Sequence, residues 1–363
     1  MTTNKRILTL NQKIATYNSK IMSWQLPGIV AAVGSGSNFN LFTVYGDSTS
    51  TLQKSTWPTS VPGLPIIYSI NNAVYALAID FLVGGTQSKL WKSTDKGASF
   101  SYLKVFDNKS YTSIEYFNDF TTDNNGNYLI AQNNRVFKST DGENWIITGT
   151  FSNTIEKIIY CKNAPSINGL TNYFYVMTSS NSEHYTSFDG SGFTLHLPSL
   201  PNNYVDMVFC EQFGTFVRVG TQTNFSASKV SYSTDGTNYS NSGGSGGFEQ
   251  YATICYSPQK QLLVGVQFAP GANYEVPKII TSTDGGVNIT KHSTAPSELN
   301  GSFRSQPAQI SWLPENSIFT LQHREKLWIS TDGINWSESF NLATIGSGTF
   351  NNANRAGSII LEI

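Results

Sequence analysis

From about residue 28 onward, apolar and polar residues alternate in short segments, and each segment stops at a cluster of Gly, Asn, Asp or Ser. A period of two bounded by turn-forming residues is the pattern of half-buried β-strands. In one stretch, residues 113–117, 128–131, 135–138 and 145–148 read as four successive strands, A to D, with Asn124-Asn125-Gly126-Asn127 turning A into B. Residues 207–210, 215–218, 229–232 and 237–240 repeat the arrangement further on. No segment carries the 3.6-residue period of an amphipathic helix. A four-stranded sheet of this kind leaves two faces to cover, and stacking of similar sheets around an axis covers both.

The repeat is also visible as a motif. Ser-Thr-Asp-Gly or a near copy ends at Asp95, Asp141, Asp189, Asp235, Asp284 and Asp332, with 46 to 49 residues between successive aspartates. A large apolar or aromatic residue follows each: Phe100, Trp145, Phe193, Tyr239, Ile289 and Trp336. Fixed periods of this length mark repeat architectures. Tyr45-Gly46-Asp47-Ser48, one period before Asp95, reads as a decayed first copy, which makes seven units. Asp-Gly between alternating segments is a hairpin signal, because glycine takes the positive φ that the turn needs and the carboxylate can accept backbone N–H groups of its own turn.

The spacing resembles the Asp-box, or bacterial neuraminidase, repeat of the sialidase superfamily, matched best over residues 93–100 and 282–289; the other four copies place glycine directly after aspartate. The resemblance covers roughly residues 28 to 340. It implies an all-β, seven-bladed β-propeller of four-stranded antiparallel blades, with the Asp-boxes at the C-to-D hairpins on the face opposite the substrate pocket. Residues 27–363 are then one propeller domain. Residues 358–363 (Ser-Ile-Ile-Leu-Glu-Ile) are expected to close the ring by pairing inside the first blade, since an unpaired apolar edge invites aggregation. Residues 1–26 form an N-terminal extension or closing segment.

Composition narrows the partners. Charged residues make up 13% of the chain and the net charge is −1, against about a quarter charged in ordinary domains. Nothing supplies the clustered Lys and Arg that nucleic acid or anionic lipid requires. No apolar run approaches the ~20 residues of a membrane span, and the start Met-Thr-Thr-Asn-Lys-Arg leads into no apolar export segment. Synthesis ending in the cytoplasm, without a signal peptide, is the expectation. Cys161, Cys210 and Cys255 lie 20 or 21 residues after the preceding motif aspartate. They are read as one equivalent site on strand A and as free, buried thiols, because stacked sheets hold such positions ~10 Å apart. No cofactor or metal is expected.

The motif aspartates are read as structural fixtures of their turns. Glycoside hydrolysis, the activity the resemblance brings to mind, needs two carboxylates about 5 to 10 Å apart. Outside the motifs and Asp47 the aspartates are Asp80, Asp107, Asp119, Asp123 and Asp206. Sialidases also use an arginine triad and an early Arg-Ile-Pro motif. The motif is missing here, and nothing in the sequence groups any three of the six arginines.

Unusually long connections cluster in adjacent units on the motif-free face. They carry Phe248 in residues 240–250, Phe268, Tyr274 and Glu275 in residues 267–277, and His292 and Arg304 in residues 290–307. Aromatic and polar groups in long loops on a rigid scaffold form the candidate binding set, beside the reading that the loops are tolerated insertions. Richness in Asn, Ser, Thr and aromatics resembles bacteriophage tail and other virion proteins. The expectation is a non-catalytic binding or structural module in a virion. Its partners would be a neighbouring structural protein, a cell-surface glycan or further copies of the chain in a homo-oligomer. A glycoside hydrolase acting on surface polysaccharide is the alternative, and an assembly factor like the Asp-box propellers of photosystem assembly is the third reading.

Overall fold

A computed structural model describes residues 28–35, 38–45, 52–54 and most of 66–341; the longest stretches outside the described residues are 1–27, 55–65, 221–229, 269–277, 297–308 and 342–363. Among the described residues are six four-stranded antiparallel sheets, each formed by consecutive strands in order. Blade I comprises β4 (Ile66–Ile70), β5 (Ala73–Leu82), β6 (Gly85–Ser93) and β7 (Ser101–Tyr111). Blade II comprises β8 (Phe117–Thr122), β9 (Tyr128–Gln132), β10 (Arg135–Ser139) and β11 (Ile146–Thr150). Blade III comprises β12 (Ile155–Cys161), β13 (Tyr173–Thr178), β14 (His184–Ser187) and β15 (Thr194–His196). Blade IV comprises β16 (Tyr204–Cys210), β17 (Thr215–Gly220), β18 (Val230–Ser233) and β19 (Ser240–Asn241). Blade V comprises β20 (Gln250–Ser257), β21 (Leu262–Phe268), β22 (Lys278–Ser282) and β23 (Thr290–His292). Blade VI comprises β24 (Gln309–Leu313), β25 (Ile318–His323), β26 (Lys326–Ser330) and β27 (Ser337–Asn341). The first strands of successive blades touch one another and line the axis of a β-propeller.

Among the described residues the four-stranded blades number six, not the seven read from the sequence. The first unit forms a three-stranded sheet of β1 (Gly28–Ser35), β2 (Asn38–Tyr45) and β3 (Leu52–Lys54). Its motif copy at Asp47 lacks both the serine and the glycine that shape the other turns. The expected closing strand, residues 358–363, and the extension 1–26 lie outside the described residues, as does Asp47.

Each recurring motif sits in the turn from third to fourth strand, as expected. In blade II the Ser139 hydroxyl accepts the Gly142 N–H at 2.8 Å and donates to Asp141 Oδ1 at 3.0 Å. Asp141 Oδ1 also accepts the N–H groups of Glu143 and Asn144, and the Asn144 side-chain amide donates to Asp141 Oδ2 at 2.7 Å. The same lattice recurs with Asp235 and Asn238, Asp284 and Asn288, and Asp332 and Asn335. Partial burial alone would raise the Asp141 carboxyl, but its N–H and hydroxyl donors hold it well below the usual range.

The turn glycines join one blade to the next. Gly142, Gly190, Gly236 and Gly333 have φ between 75° and 80°, and they pack on Ile70, Leu129, Ile167 and Val264 of the preceding blade. The carbonyl of Gly142 accepts from Tyr68, that of Gly236 from Tyr175, and that of Gly285 from Thr215 at 2.7 Å. Among the described residues, apolar seams fill the five spaces between consecutive blades I to VI, for example Leu129, Val136, Phe151, Ile158 and Phe174 between blades II and III. Cys161, Cys210 and Cys255 are free and buried in three successive seams. Cys161 and Cys210 each pair with the first residue of the following strand, Tyr173 and Thr215. Cys255 sits two residues earlier, opposite Val264, which corrects the reading of one equivalent site.

Gly285→Ala is expected to destabilise by about 2 to 4 kcal/mol, because the positive φ of 69° strains any L-residue and the new methyl would lie 2.6 Å from Phe213 Cβ. Asp141→Ala, which removes acceptors from an exposed turn, costs about 1 kcal/mol. Urea unfolding of the two variants measures both.

Candidate functional site

The first strands of blades II to V each carry a one-residue bulge near their start, at positions 118, 156, 205 and 252. Bulges re-aim the following side chain, and here the residues that follow are Asp119, Lys157, Asp206 and Thr253. They form a chain around the axis at the end away from the recurring turns. Lys157 Nζ lies 3.5 Å from Asp119 Oδ2 and 3.2 Å from Asp206 Oδ1. Each acceptor also takes a backbone N–H from the next blade: Ile158 to Asp119 at 3.0 Å, Ile254 to Asp206 at 2.9 Å and Ile310 to the Thr253 hydroxyl at 3.4 Å. Asp206 additionally accepts the Met207 N–H and the Thr253 hydroxyl, so both its oxygens are engaged.

Burial raises the Asp119 carboxyl, and the Lys157 ammonium and Ile158 N–H only partly offset this. Burial alone would lower the Lys157 ammonium, but the Asp119 and Asp206 carboxylates outweigh it and hold the group above its ordinary value. Asp119 and Asp206 were among the carboxylates left open by the sequence. The cation between them was not anticipated, because a bulge leaves no mark in a period-two pattern.

A second polar cluster is buried in the seam between blades III and IV. The Arg218 guanidinium lies between the rings of Tyr204 and Tyr239, 3.8 Å and 3.5 Å from their centroids. Its Nη1 is 3.4 Å from His184 Nε2, and His184 Nδ1 is 2.5 Å from the Tyr175 hydroxyl. Since Arg218 can only donate and Tyr175 donates to the Gly236 carbonyl, this network assigns a neutral His184 with its proton on Nδ1. Burial and then the Arg218 charge push its pKa well below the ordinary value. The ladders place His184 where other blades carry Val136, Val230, Ile279 and Leu327. Arg218 stands where they carry Ile130, Val176, Gly265 and Leu321.

Of the candidate binding residues read from the sequence, Phe248, Tyr274, Glu275 and Arg304 lie outside the described residues, and Phe268 is described only as the last residue of β21. His292 ends β23, where its Nε2 meets the Thr281 hydroxyl at 2.8 Å. His196 makes the same contact with Thr186 in blade III at 2.9 Å, so this pairing recurs as part of the outer-strand ladder. No group of three His, Cys, Asp or Glu among the described residues could hold a metal ion.

Fold and axial ladder together define a β-propeller of four-stranded antiparallel blades. No family model matches the chain, and no curated protein matches it. Similar solved structures include a protein from Lactobacillus plantarum, 12% identical over 86% of this chain and 95% of that one, with a TM-score of 0.57. The WD40 β-propeller domain of Doa1 is 7% identical over 83% of this chain and 88% of that one, at 0.53. An ancestral GH74 enzyme is 15% identical over 76% of this chain but only 38% of its own, at 0.51. At these identities the likeness concerns the fold alone.

Two outcomes follow. Lys157→Met is expected to cost about 2 kcal/mol, less than a fully buried pair because the site is partly open, by leaving two carboxylates without their cation. Adding Asp119→Asn should recover part of the loss in a double-mutant cycle. His184 contributes stability that is complete above its unfolded pKa of about 6.5 and is lost as the pH falls, by up to about 1.4 kcal/mol per unit. His184→Val should flatten that part of the pH profile of the urea midpoint.

Proposed function

We propose that this chain is a non-catalytic propeller serving as a binding or structural module, a bacteriophage virion or tail component that contacts a neighbouring protein or a cell-surface glycan. The observation that carries the non-catalytic part is the state of Asp206. Both its oxygens are taken by Met207, Lys157, Thr253 and Ile254, which leaves no free lone pair directed at a substrate. Asp119 is held by the same lysine and by Ile158. The aspartates of the recurring turns are occupied within their own hairpins, in the manner of Asp-boxes. The virion assignment rests on the low charge and on the abundance of Asn, Ser, Thr and aromatics.

The glycoside hydrolase alternative rests on the same two carboxylates, of which Asp119 has the raised pKa that a general acid needs. One assay separates the readings. Purified protein incubated with sialylated and neutral surface polysaccharides should release no reducing ends. Release by the wild type that Asp119→Asn or Asp206→Asn abolishes, with the fold retained, would replace the binding module by an enzyme.

A further inference from the structure

At one level of the ladders, a third-strand residue of one blade and a second-strand residue of the next occupy each seam. These are Leu90 and Ile130 between blades I and II, and Val136 and Val176 between II and III. They are Val230 and Gly265 between IV and V, and Ile279 and Leu321 between V and VI. Between III and IV they are His184 and Arg218, both fully buried. An ionisable pair therefore stands in one seam where the other four have hydrocarbon or a glycine.

The pair sits at the joint itself. Tyr175, which meets His184 Nδ1, donates to the carbonyl of Gly236, the turn glycine that packs blade IV on Ile167 of blade III. The titratable groups around His184 are Tyr175 of β13, Arg218 of β17, Tyr239 before β19 and His196 of β15, with Cys161 of β12 and Tyr204 of β16 in the same seam. None of these is a carboxylate. Burial pushes Tyr239 up to about 12 and raises Tyr175 and Cys161 as well, so none becomes an anion in acid. Asp235, next to Gly236, has both oxygens engaged by Ser233, Thr237 and Asn238 within its own turn.

We infer that His184 makes the seam between blades III and IV an acid-triggered joint, in which protonation at Nε2 parts these two blades while the other seams stay closed. The added proton lands on the atom that faces Arg218 Nη1 at 3.4 Å. Donor then meets donor, and two cations share a buried seam, which only the entry of water relieves. The opened seam takes up the proton at the ordinary imidazole value of about 6.5, whereas burial and the Arg218 charge hold the closed seam well below it. Opening is therefore favoured about tenfold more for each pH unit below about 6.5, and acid has no such effect on seams without the pair. This is a property of the ring whether or not the chain binds a glycan.

The three free thiols test it, because each is buried in a different seam: Cys161 between blades III and IV, Cys210 between IV and V, and Cys255 between V and VI. The full chain is labelled with 4,4′-dithiodipyridine, which reacts with thiols in acid, and each cysteine is quantified by mass spectrometry after digestion. Comparing thiols within one molecule cancels the pH dependence of the reagent. The rate at Cys161 relative to Cys210 and Cys255 is expected to rise about thirtyfold from about pH 7.5 to about pH 5. His184→Gln, which keeps an acceptor for Arg218 but takes up no proton, should abolish the rise. His196→Gln should retain it, and keeps the test decisive if the His184 variant does not fold. A constant ratio in the wild type, or three thiols that accelerate together, would overturn the inference. So would a rise that survives His184→Gln or disappears in His196→Gln.

Discussion

Everything else in the molecule depends on the turn between the third and fourth strand of each blade. A four-stranded sheet has little stability alone, and its register against the next sheet must be set by something rigid. Here a serine hydroxyl and an aspartate carboxylate tie down the turn backbone, and a glycine with φ near 75° lets that turn sit flush on the blade before it. A Cβ at Gly236 would lie 2.6 Å from Ile167 Cδ1, so the closeness of adjacent blades requires the missing side chain. The carbonyls turned outward by this geometry then accept from Tyr68, Tyr175 and Thr215 of the preceding blade. Local turn chemistry and blade packing are therefore one interaction, repeated around the ring.

That identity explains what the amino-acid sequence makes legible. Six turns are readable because glycine after aspartate, with serine before it, is a requirement of the backbone. The asparagine that completes four of them, at Asn144, Asn238, Asn288 and Asn335, is equally regular and was not anticipated. The unit read from Asp47, which has neither partner residue, shows three strands and not four among the described residues. Of residues 113–117, read as strand A of blade II, Phe117 stands in β8 and 113–116 lie outside the described residues. The bulge at Asn118 shifts the register without a sequence signal. Cys255 was misplaced by two residues for a similar reason: distance from the turn aspartate includes a connection of variable length, while position in the ladder does not.

The site was less legible than the scaffold. Asp119, Lys157, Asp206 and Thr253 share a ladder position but are two aspartates, a lysine and a threonine, so only the paired registers reveal that they meet. Charge there serves cohesion: one ammonium holds two inner strands through their carboxylates, and each of these in turn binds the backbone of the next blade. In the seam between blades III and IV, His184 and Arg218 stand where the other blades carry aliphatic residues or, at Gly265, a glycine, and aromatic faces take the place of a hydrocarbon core. The rim differs from both. There, among the described residues, large apolar groups face solvent on three consecutive blades.

If the turns are the joints of the ring, their backbone should open only when the blades separate. Native-state hydrogen exchange of the amides of Gly97, Gly142, Gly190, Gly236, Gly286 and Gly333, all hydrogen-bonded to the turn serines, measures this directly. The account predicts that these six amides exchange with one common free energy equal to that of global unfolding. Exchange at the low, dispersed free energies of ordinary surface turns would contradict it.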